Sequence, residues 1–360
     1  MRAAVFHRAG DVRIETRSVP RPGPGEVLLQ VDSVGICGSD AHEFASGPHS
    51  LPRRSDGSTV PTILGHEFTG TVVASGIGAT TLPIGARVVS GAGVSCGQCR
   101  SCRRGRTNLC IAYYTLGLQK DGGLAQYVVA PESILHDVSE SGLASDTLAM
   151  AQPMAIAVHA VRRSRLKSGD DAVVIGVGGI GAFLCFAAAQ VGARVLAIDM
   201  SLDRLKLAEQ LGAVATQATT EKSIDKLPDG AGFDPDVVFE ASGSAAGMRT
   251  AIEVMRAGAV LVPVGIQPEP ISIDIGKWSL TEVSMVGTLA HVFALDIPDA
   301  VALLARRESW ADIARVVLPL DTAVDGGLRP LAAGASPQVK ILIDPWAESA
   351  RPAVHGQMRT

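Results

Sequence analysis

Residues Ala172–Gly181 read AVVIGVGGIG, a short apolar run that passes directly into a glycine-rich turn. The apolar run Ala172–Ile175 is typical of a strand buried within a parallel sheet. A helical pattern follows as far as Val191, and Arg194–Ile198 (RVLAI) predicts the next strand. That strand ends at Asp199, 23 residues after Gly176. A strand, a glycine turn, a helix and a second strand that ends on an acid together predict a dinucleotide-binding unit.

The three glycines of the G-x-G-x-x-G pattern have separate tasks in such a unit. Gly176 allows a tight turn, Gly178 lets the backbone approach a pyrophosphate, and Gly181 lets the helix pack closely. The carboxylate of Asp199 would accept hydrogen bonds from ribose hydroxyls and repel a 2′-phosphate, which favours NAD, whereas Arg204 could accommodate a phosphate. A glycine-rich turn without a ligand is the alternative. The expected cofactor contacts are Gly176, Gly178, Gly179, Ile180, Gly181, Asp199, Arg204, Val264 and Ile266.

Two kinds of sequence pattern divide the chain. Residues 1 to about 150 contain short β-type runs separated by Gly and Pro, which predict a mainly antiparallel β domain. From about Gln152, strands and helices alternate up to Val283–Gly287, which predicts a doubly wound parallel sheet. The later helix Pro298–Ala305 and strand Val339–Ile343 do not continue the alternation, so we expect them to return to the first domain. The predicted domains are therefore 1–153 with 291–360, and 154–290.

The composition and charge of the chain limit the classes of binding partner and the cellular compartment that we expect. The 360 residues carry a net charge of −4, which gives no general attraction to nucleic acid or anionic membranes. No apolar run is long enough to span a bilayer, and the first fifteen residues lack an apolar signal core. Six cysteines without a secretory signal fit the reducing cytoplasm. The last residues, from about Glu348, resemble a loose tail.

Four cysteines, Cys96, Cys99, Cys102 and Cys110, lie within fifteen residues. Four thiolates bind zinc tetrahedrally and leave no open position for a substrate, so this spacing favours a structural zinc site. An iron–sulfur cluster is a weaker alternative, because its typical spacing closes with a three-residue gap and a proline. Two disulfides are the other alternative, and a cytosolic chain of this size does not need them.

A second group of possible metal ligands precedes the cysteine run. Cys37, His66 and Glu67 each have an ordinary interpretation as a buried thiol, a core histidine and a surface carboxylate. Together, with Gly35 and Gly38 close to Cys37, they form a reasonable ligand set for a catalytic zinc with one open position. Such an ion would act on an alcohol as a Lewis acid.

Several motifs resemble those of the zinc-dependent medium-chain dehydrogenases/reductases, and most of all the branch of butanediol, sorbitol and threonine dehydrogenases. The resemblance covers the chain as far as the tail. It rests on Gly35–His42 (GICGSDAH), Gly65–Gly70 (GHEFTG), the four cysteines, Pro153–Val161 (PMAIAVHAV) and Gly176–Gly181 (GVGGIG). It implies a GroES-like catalytic domain, a Rossmann domain, and chemistry in the cleft between them. It also implies an NAD(P)-dependent oxidoreductase that acts on CH–OH groups, and a homodimer or homotetramer.

The resemblance also implies roles for individual residues. Cys37 and His66 would hold the catalytic zinc, and Glu67 would be a direct or alternating ligand. Ser39 matches the hydroxyl that takes the proton of the alcohol, and His42 matches the residue that passes this proton towards solvent. With the cysteine site, two zinc ions per chain are expected. Asp40 is interpreted as a turn residue that fixes the local backbone.

The chain departs from the polyol branch at one position. That branch usually carries Glu before the proline that is Pro153 here, whereas this chain has Gln152. A neutral amide is a weaker zinc ligand than a carboxylate, so Gln152 would be a weak fourth ligand or bond a zinc-bound water. Related glucose dehydrogenases carry Gln at this place, which favours larger polyols or sugars. The loop Gly47–Pro52 (GPHSLP), with its long insertion, instead resembles the butanediol branch.

Three other functions remain as alternatives. The arginines beside the cysteines, from Arg100 to Arg106, could indicate a nucleic-acid-binding zinc ribbon, although no aromatic residues interleave with them. A zinc-free reductase of the quinone oxidoreductase type would generally lack the ligand cysteines. A protein that binds NAD without turnover is suggested only by Gln152.

Overall fold

The computed structural model describes residues 1–220, 232–267 and 269–357. Contacts within the chain divide it into two compact units. The first unit comprises Met1–Gln152 and Val292–Thr360, and the second comprises Pro153–His291. The first unit is therefore discontinuous in sequence, and the second is inserted into it.

The first unit is built mainly from antiparallel strands. Numbered along the chain, these strands are β1 (Arg2–Arg8), β2 (Asp11–Thr16), β3 (Glu26–Ile36), β4 (Thr62–Ile63), β5 (Glu67–Ser75), β6 (Arg87–Ser90), β7 (Gly93–Val94), β8 (Tyr114–Thr115), β9 (Tyr127–Pro131), β10 (Leu135–Asp137), β17 (Val316–Pro319), β18 (Ile341–Asp344) and β19 (Arg351–Pro352). Three of them form a small sheet in the order β2-β1-β4, and eight form a larger sheet in the order β10-β6-β5-β3-β18-β17-β19, with β9 paired to β3. The strands β7 and β8 form a separate two-stranded antiparallel sheet.

The long strand β3 organises this unit because it pairs with β5, β9 and β18. Its side chains Val27, Leu29 and Val31 are fully buried in a core that also contains Phe6 and Phe68. The alternation of apolar residues along β3 puts them on one face of the sheet. The short helices of this unit are α1 (Gly38–Ser46), α2 (Arg100–Arg103), α3 (Ser145–Leu148), α9 (Phe293–Leu304) and α10 (Arg329–Ala332).

The second unit is a parallel sheet of six strands in the order β13-β12-β11-β14-β15-β16. Every neighbouring pair in this sheet is parallel, and β11 is buried at all five positions. Its elements are α4 (Ala151–Ser164), β11 (Asp171–Ile175), α5 (Gly179–Val191), β12 (Arg194–Asp199), α6 (Leu202–Gln210), β13 (Ala215–Ala218), β14 (Val237–Glu240), α7 (Ala245–Glu253), β15 (Val260–Pro263), α8 (Ile275–Thr281) and β16 (Ser284–Met285).

This strand order confirms the doubly wound sheet that the sequence predicted. The chain moves outward from β11 through β12 to β13, and then returns to the other side of β11 with β14. Ligands of such sheets bind at the carboxyl ends of the strands, where the order reverses. In the described part of the chain, no helix is both long and apolar enough to cross a membrane.

For residues 348–357 the expectation of a loose tail from about Glu348 was wrong; its last three positions, 358–360, lie outside the described residues. Arg351–Pro352 forms β19, which pairs antiparallel with β17. The Arg351 guanidinium donates to both oxygens of the buried Asp146 carboxylate, at 2.7 and 3.0 Å, and to Asp344 at 3.0 Å. The composition of the segment suggested mobility, but the binding partners of Arg351 are distant in sequence and were not visible there.

Candidate functional site

The first cluster of candidate ligands begins where β3 passes into α1. Cys37 follows the last residue of β3 and is the N-cap of α1. Its backbone N–H donates to Asp40 Oδ2 at 2.9 Å, so the carboxylate satisfies one of the unpaired donors at the start of the helix. This contact fixes the backbone that carries the Cys37 thiol.

His66 comes from a different segment, the turn between β4 and β5, and Glu67 is the first residue of β5. Gly65 has φ +93°, a left-handed conformation, and a Cβ at this position would lie 2.7 Å from the backbone nitrogen of Leu124. The Gly65 N–H donates to Asp40 Oδ1 at 3.3 Å. Asp40 therefore joins the turn that carries His66 to the helix start that carries Cys37.

The predicted ligands Cys37, His66 and Glu67 converge in space. One ligand atom from each lies within 4.8 Å of the others. Ser39 Oγ lies 3.3 Å from His66 Nε2, so the hydroxyl is beside the same cluster. A thiol, an imidazole and a carboxylate at these separations fit the donor set of a zinc ion.

Asp40 does more than stabilise a turn, which is all that the sequence suggested. It is fully buried, and its Oδ1 lies 3.5 Å from His66 Nδ1, which leaves Nε2 facing the cluster. Burial lowers the pKa of His66, but the charges of Asp40 and Cys37 outweigh burial and raise this pKa well above its ordinary value. Carboxylates placed behind a ligand histidine in this way orient the ring.

Lys340 is a further residue of this region that the sequence did not reveal. Its ammonium forms an ion pair with Glu67 Oε2, and both side chains are almost fully buried. A Cβ at Gly35 would collide with Glu67 Oε2 and lie 3.0 Å from Lys340 Cε, so glycine is required beside the pair. Because Lys340 directly precedes β18 and β18 pairs with β3, only the fold brings it here.

Two of the predicted zinc-ligand residues have a buried oxygen without a hydrogen-bond donor among the residues that the structure describes. Glu67 Oε1 and Gln152 Oε1 are buried, and neither has a partner within residues 1–220, 232–267 and 269–357. Buried acceptors without donors are uncommon in folded proteins and indicate a missing ion or water. The residues present therefore fit a zinc ion near Cys37, His66 and Glu67. Gln152, the second residue of α4, offers a neutral oxygen.

His42 lies on the exposed surface of α1. Ser39 and His42 are three residues apart, so they share one face of the helix. The His42 ring stacks on that of His49, with centroids 4.1 Å apart. Glu43 supports this arrangement, because its carboxylate accepts from the backbone N–H groups of His49 and Ser50 at 2.7 and 2.6 Å.

The four-cysteine run forms a separate cluster. The sulfur atoms of Cys96, Cys99, Cys102 and Cys110 all lie within 4.8 Å of one another, and all six cysteines of the chain are free. The backbone N–H groups of Cys96 and Ala112 donate to Cys110 Sγ at 3.2 and 3.3 Å. Such N–H···S contacts stabilise thiolates, so this cluster fits a four-thiolate metal site.

Local hydrogen bonds separate the acidities of these thiols. The backbone N–H groups of Cys102 and Ile111 lower the pKa of Cys99 to about 6. Burial raises the pKa of Cys102 to about 11. A metal ion would remove this difference, because a coordinating thiol is deprotonated outright.

The glycine turn after β11 is shaped as the sequence predicted. Gly176 has φ +86°, and a Cβ there would lie 2.8 Å from Ser242 Cα. A Cβ at Gly181 would collide with the Gly176 carbonyl oxygen. Among the described residues other than its neighbours in the chain, a Cβ at Gly178 would come within 4 Å only of Arg204 Nη1, at 3.8 Å, so the space beside it is open there.

A cavity of about 420 Å³ lies next to this turn, at the carboxyl ends of β11, β12 and β14. Gly176, Gly178, Asp199 and Arg204 line it, together with Ser242. The other predicted contacts lie elsewhere on this edge, with Gly179, Ile180 and Gly181 at the start of α5, and Val264 and Ile266 after β15.

Asp199 is held by the backbone on both sides of the turn. Its Oδ2 accepts from the Val177 N–H at 2.7 Å, and its Oδ1 accepts from the Ser201 N–H at 2.8 Å. The Arg204 guanidinium forms no ion pair with a carboxylate in the described ranges. The cavity thus presents one fixed anion and one cation, as expected for a site that binds the adenosine half of a dinucleotide.

Comparisons with known proteins agree with both units. The family profile described as "Alcohol dehydrogenase GroES-like domain" matches residues 23–140, and the one described as "Zinc-binding dehydrogenase" matches residues 179–306. Sorbitol dehydrogenase of Gallus gallus is 33% identical over 330 residues, which cover 90% of this chain and 91% of that protein. (R,R)-butanediol dehydrogenase of Bacillus subtilis is 33% identical over 355 residues, with 96% and 100% coverage.

A solved structure from Sinorhizobium meliloti 1021, described as a zinc-binding dehydrogenase bound to NADP, has a TM-score of 0.82 and 28% identity; the match covers 96% of this chain and 99% of that one. The predicted GroES-like and Rossmann domains are confirmed by these matches. The protein is an oxidoreductase that acts on alcohols. The chain belongs to the zinc-type medium-chain dehydrogenases, in the branch of the sorbitol and butanediol dehydrogenases.

Proposed function

We propose that this protein oxidises a secondary alcohol, diol or polyol to the ketone, reversibly, with catalytic zinc and NAD. The observation that carries this proposal is the convergence of Cys37, His66 and Glu67 within 4.8 Å, with the Ser39 hydroxyl 3.3 Å from His66 Nε2. When bound, zinc supplies a Lewis acid for the alcohol oxygen, and the oxidised nicotinamide accepts the hydride.

The chain's own residues would hold the ion and move the proton. Cys37 and His66 are the proposed protein ligands, Glu67 is a direct or alternating ligand, and Gln152 is a weak fourth ligand. Asp40 orients the His66 ring through Nδ1, so that Nε2 remains available. Whenever Glu67 or Gln152 is not a ligand, the three remaining donors would leave one position for the substrate oxygen.

Ser39 is the proposed relay for the hydroxyl proton of the alcohol: its oxygen would take that proton while its own hydroxyl proton leaves towards His42. Its place beside His66 Nε2 supports this role, since a base must lie within hydrogen-bond reach of the proton that it removes. His42, on the same face of α1 and exposed, would pass the proton to solvent. The alcohol loses one hydride and one proton in total.

We further propose two zinc ions per chain, the second held by Cys96, Cys99, Cys102 and Cys110. This site has four protein donors and no open position, so its role would be structural. Exposed arginines surround this cysteine site, so nucleic-acid binding is an alternative role for it. A salt-sensitive shift of labelled DNA would reveal such binding.

NAD is the proposed cofactor in preference to NADP. The fixed Asp199 carboxylate at the cavity supports this preference, because it would repel a 2′-phosphate and accept from ribose hydroxyls. Arg204 would weaken this preference for NAD, because its guanidinium also lines the cavity and would attract a 2′-phosphate.

The proposed substrates are vicinal diols and polyols, as the names of the sorbitol and butanediol relatives suggest. Gln152 favours a second candidate, oxidation of an aldose. Its amide oxygen is buried and has no donor in the described part of the chain, so it could contribute a neutral ligand where polyol enzymes carry a carboxylate.

Metal analysis combined with a substrate screen tests the proposal. We expect two zinc equivalents per chain and NAD reduction with diols or sugar alcohols, rather than with threonine or aldoses. Full activity in protein that holds zinc only at the cysteine cluster would refute catalytic zinc. Sedimentation analysis tests the proposed homodimer or homotetramer.

A further inference from the structure

Glu240, the last residue of β14, is a fully buried carboxylate that holds the loop after its own strand. Its Oε1 accepts from the Ser242 backbone N–H at 2.8 Å and from the Ser242 hydroxyl, and it also accepts from the Gly243 N–H at 3.1 Å. Burial is the largest influence and raises the pKa of Glu240 above its ordinary value, although these hydrogen bonds lower it. The backbone N–H groups can only donate, so Glu240 is an acceptor in this network.

The same residue also holds the loop after the next strand, β15. The backbone N–H groups of Val264 and Gly265 donate to the Glu240 carbonyl oxygen at 2.7 and 2.9 Å. The Gln267 side chain donates from Nε2 to Glu240 Oε2 at 2.8 Å. One residue thus connects two neighbouring loops at the carboxyl edge of the sheet.

This contact fixes the orientation of the Gln267 amide. A side-chain amide has donors on one side and an acceptor on the other, and the carboxylate requires the NH₂ group. Gln267 Oε1 must then point away from Glu240. It is a buried atom, and no group in the described residues donates a hydrogen bond to it. A buried acceptor without a donor calls for an explanation.

The sheet topology identifies which half of a dinucleotide these loops face. Asp199 lies at the end of β12, in the half of the sheet formed by β11, β12 and β13, where the adenosine half binds. The loop after β15 belongs to the other half of the sheet, which receives the second nucleotide, whereas the loop after β14 lies beside both halves because Ser242 also lines the cavity next to Asp199. The two halves meet where Gly176 touches Ser242. Gln267 is therefore on the nicotinamide side.

We propose that Gln267 accepts, through Oε1, a hydrogen bond from the nicotinamide half of the cofactor. The donor is the carboxamide NH₂ or a ribose hydroxyl, and Glu240 is the positioning residue that turns the amide towards it. This proposal rests on the proposed function only in taking a nicotinamide dinucleotide as the cofactor.

The test compares the binding of NADH with that of ADP-ribose, which lacks the nicotinamide. Gln267→Met removes both polar atoms at similar volume, and we expect NADH to bind about fivefold more weakly, as for the loss of one hydrogen bond. ADP-ribose should bind as it does to the wild type. Gln210→Met, at an exposed glutamine at the end of α6, is the matched control and should change neither affinity.

A reciprocal exchange tests the positioning role of Glu240. In Glu240→Gln, an amide NH₂ group would replace an acceptor of hydrogen bonds from Ser242, Gly243 and Gln267. The Gln267 amide would then lose its fixed orientation, and NADH binding should weaken. Glu240→Gln combined with Gln267→Glu restores one amide–carboxylate pair between the loops, so NADH affinity should recover towards the wild-type value. A failure of the double variant to recover would refute the role of Glu240, while thermal unfolding of each variant verifies that it is folded.

A second analogue distinguishes the two donors. The acetylpyridine analogue of NADH lacks the carboxamide NH₂, so Gln267→Met should leave its affinity unchanged if the carboxamide is the donor, and weaken it if a ribose hydroxyl is. If Gln267→Met binds NADH as tightly as the wild type, the oxygen is satisfied by water and the proposal is wrong. It is equally wrong if ADP-ribose and NADH weaken together. Wild-type protein that binds neither compound would overturn the proposed function as well.

Discussion

Lys340 and Glu67 form an ion pair whose side chains are 5% and 0% exposed. A buried carboxylate next to a metal site can either coordinate the metal ion or form an ion pair with another cation, and Lys340 supplies that other cation. Removal of one partner from a buried pair leaves an uncompensated charge. Lys340 therefore compensates Glu67 whenever Glu67 is not a ligand.

Lys340→Met should destabilise the metal-free protein more than the zinc-loaded protein. Without the ammonium, Glu67 is an unpaired buried anion, at a cost of about 3–5 kcal/mol, and a bound ion would restore part of this. Thermal unfolding with and without a chelator measures the difference. Lys277→Met, which removes a half-exposed pair with Glu253, is the control. Equal destabilisation of both forms by Lys340→Met would contradict the expectation.

Asp40→Asn should weaken zinc binding at the Cys37 site by about 10- to 100-fold, as is typical when the carboxylate behind a ligand histidine is removed. The asparagine keeps the size of the side chain but presents an NH₂ group to N–H donors. Zinc release to a chromogenic chelator gives the affinity directly. Asp56→Asn, in an exposed loop, is the matched control. An unchanged zinc affinity would reduce Asp40 to the turn residue that its sequence suggested.

The two cysteine sites should respond differently to serine. Cys37→Ser should abolish turnover, lower the zinc content from two equivalents to one, and leave the unfolding temperature nearly unchanged, because the proposed catalytic ion is not part of the core. Cys99→Ser should also lose one equivalent but unfold at a lower temperature, since structural zinc contributes to folding. Metal analysis and calorimetry separate the outcomes. Full turnover of Cys37→Ser would exclude it as a catalytic ligand.

Asp199→Ala should reduce the preference for NAD over NADP by about tenfold, which corresponds to about 1.4 kcal/mol of relieved repulsion. It should also destabilise the protein, because the Val177 and Ser201 N–H groups lose their acceptor. The ratio of kcat/KM for the two cofactors is the measurement. Asp203→Ala, at a nearly fully exposed carboxylate on α6, should leave that ratio unchanged.

The predictions that succeeded came from residues whose chemistry is local in sequence. The glycine turn at Gly176 needs its own backbone conformation, and the following strand ends at Asp199 within the same βαβ unit, so a short segment contains the whole signal. The alternation of helices and strands likewise predicted the parallel sheet, because the hydrophobic periodicity of each segment indicates its secondary structure and its buried face.

The residues that sequence analysis missed act through partners far away in the chain. Lys340 reaches Glu67 only because β18 pairs with β3, and no spacing pattern encodes that pairing. Glu240 and Gln267 are 27 residues apart and meet because β14 and β15 are neighbours. Asp40 could have been noticed three residues after Cys37, but only its burial shows that it faces His66.

His355, in the segment wrongly expected to be loose, should make stability depend on pH. Burial lowers its pKa below the ordinary value, and its ring bonds the Ala314 carbonyl oxygen at 2.6 Å and Thr147 Oγ1 at 3.3 Å. A lowered folded pKa means that this stability is fully present above the unfolded pKa, about 6.5, and is lost as the pH falls through the folded value. His355→Gln should therefore flatten the decrease of the unfolding free energy between about pH 7 and pH 5, measured by denaturant titration. Parallel pH curves for the variant and the wild type would show that the ring is not buried as a neutral group.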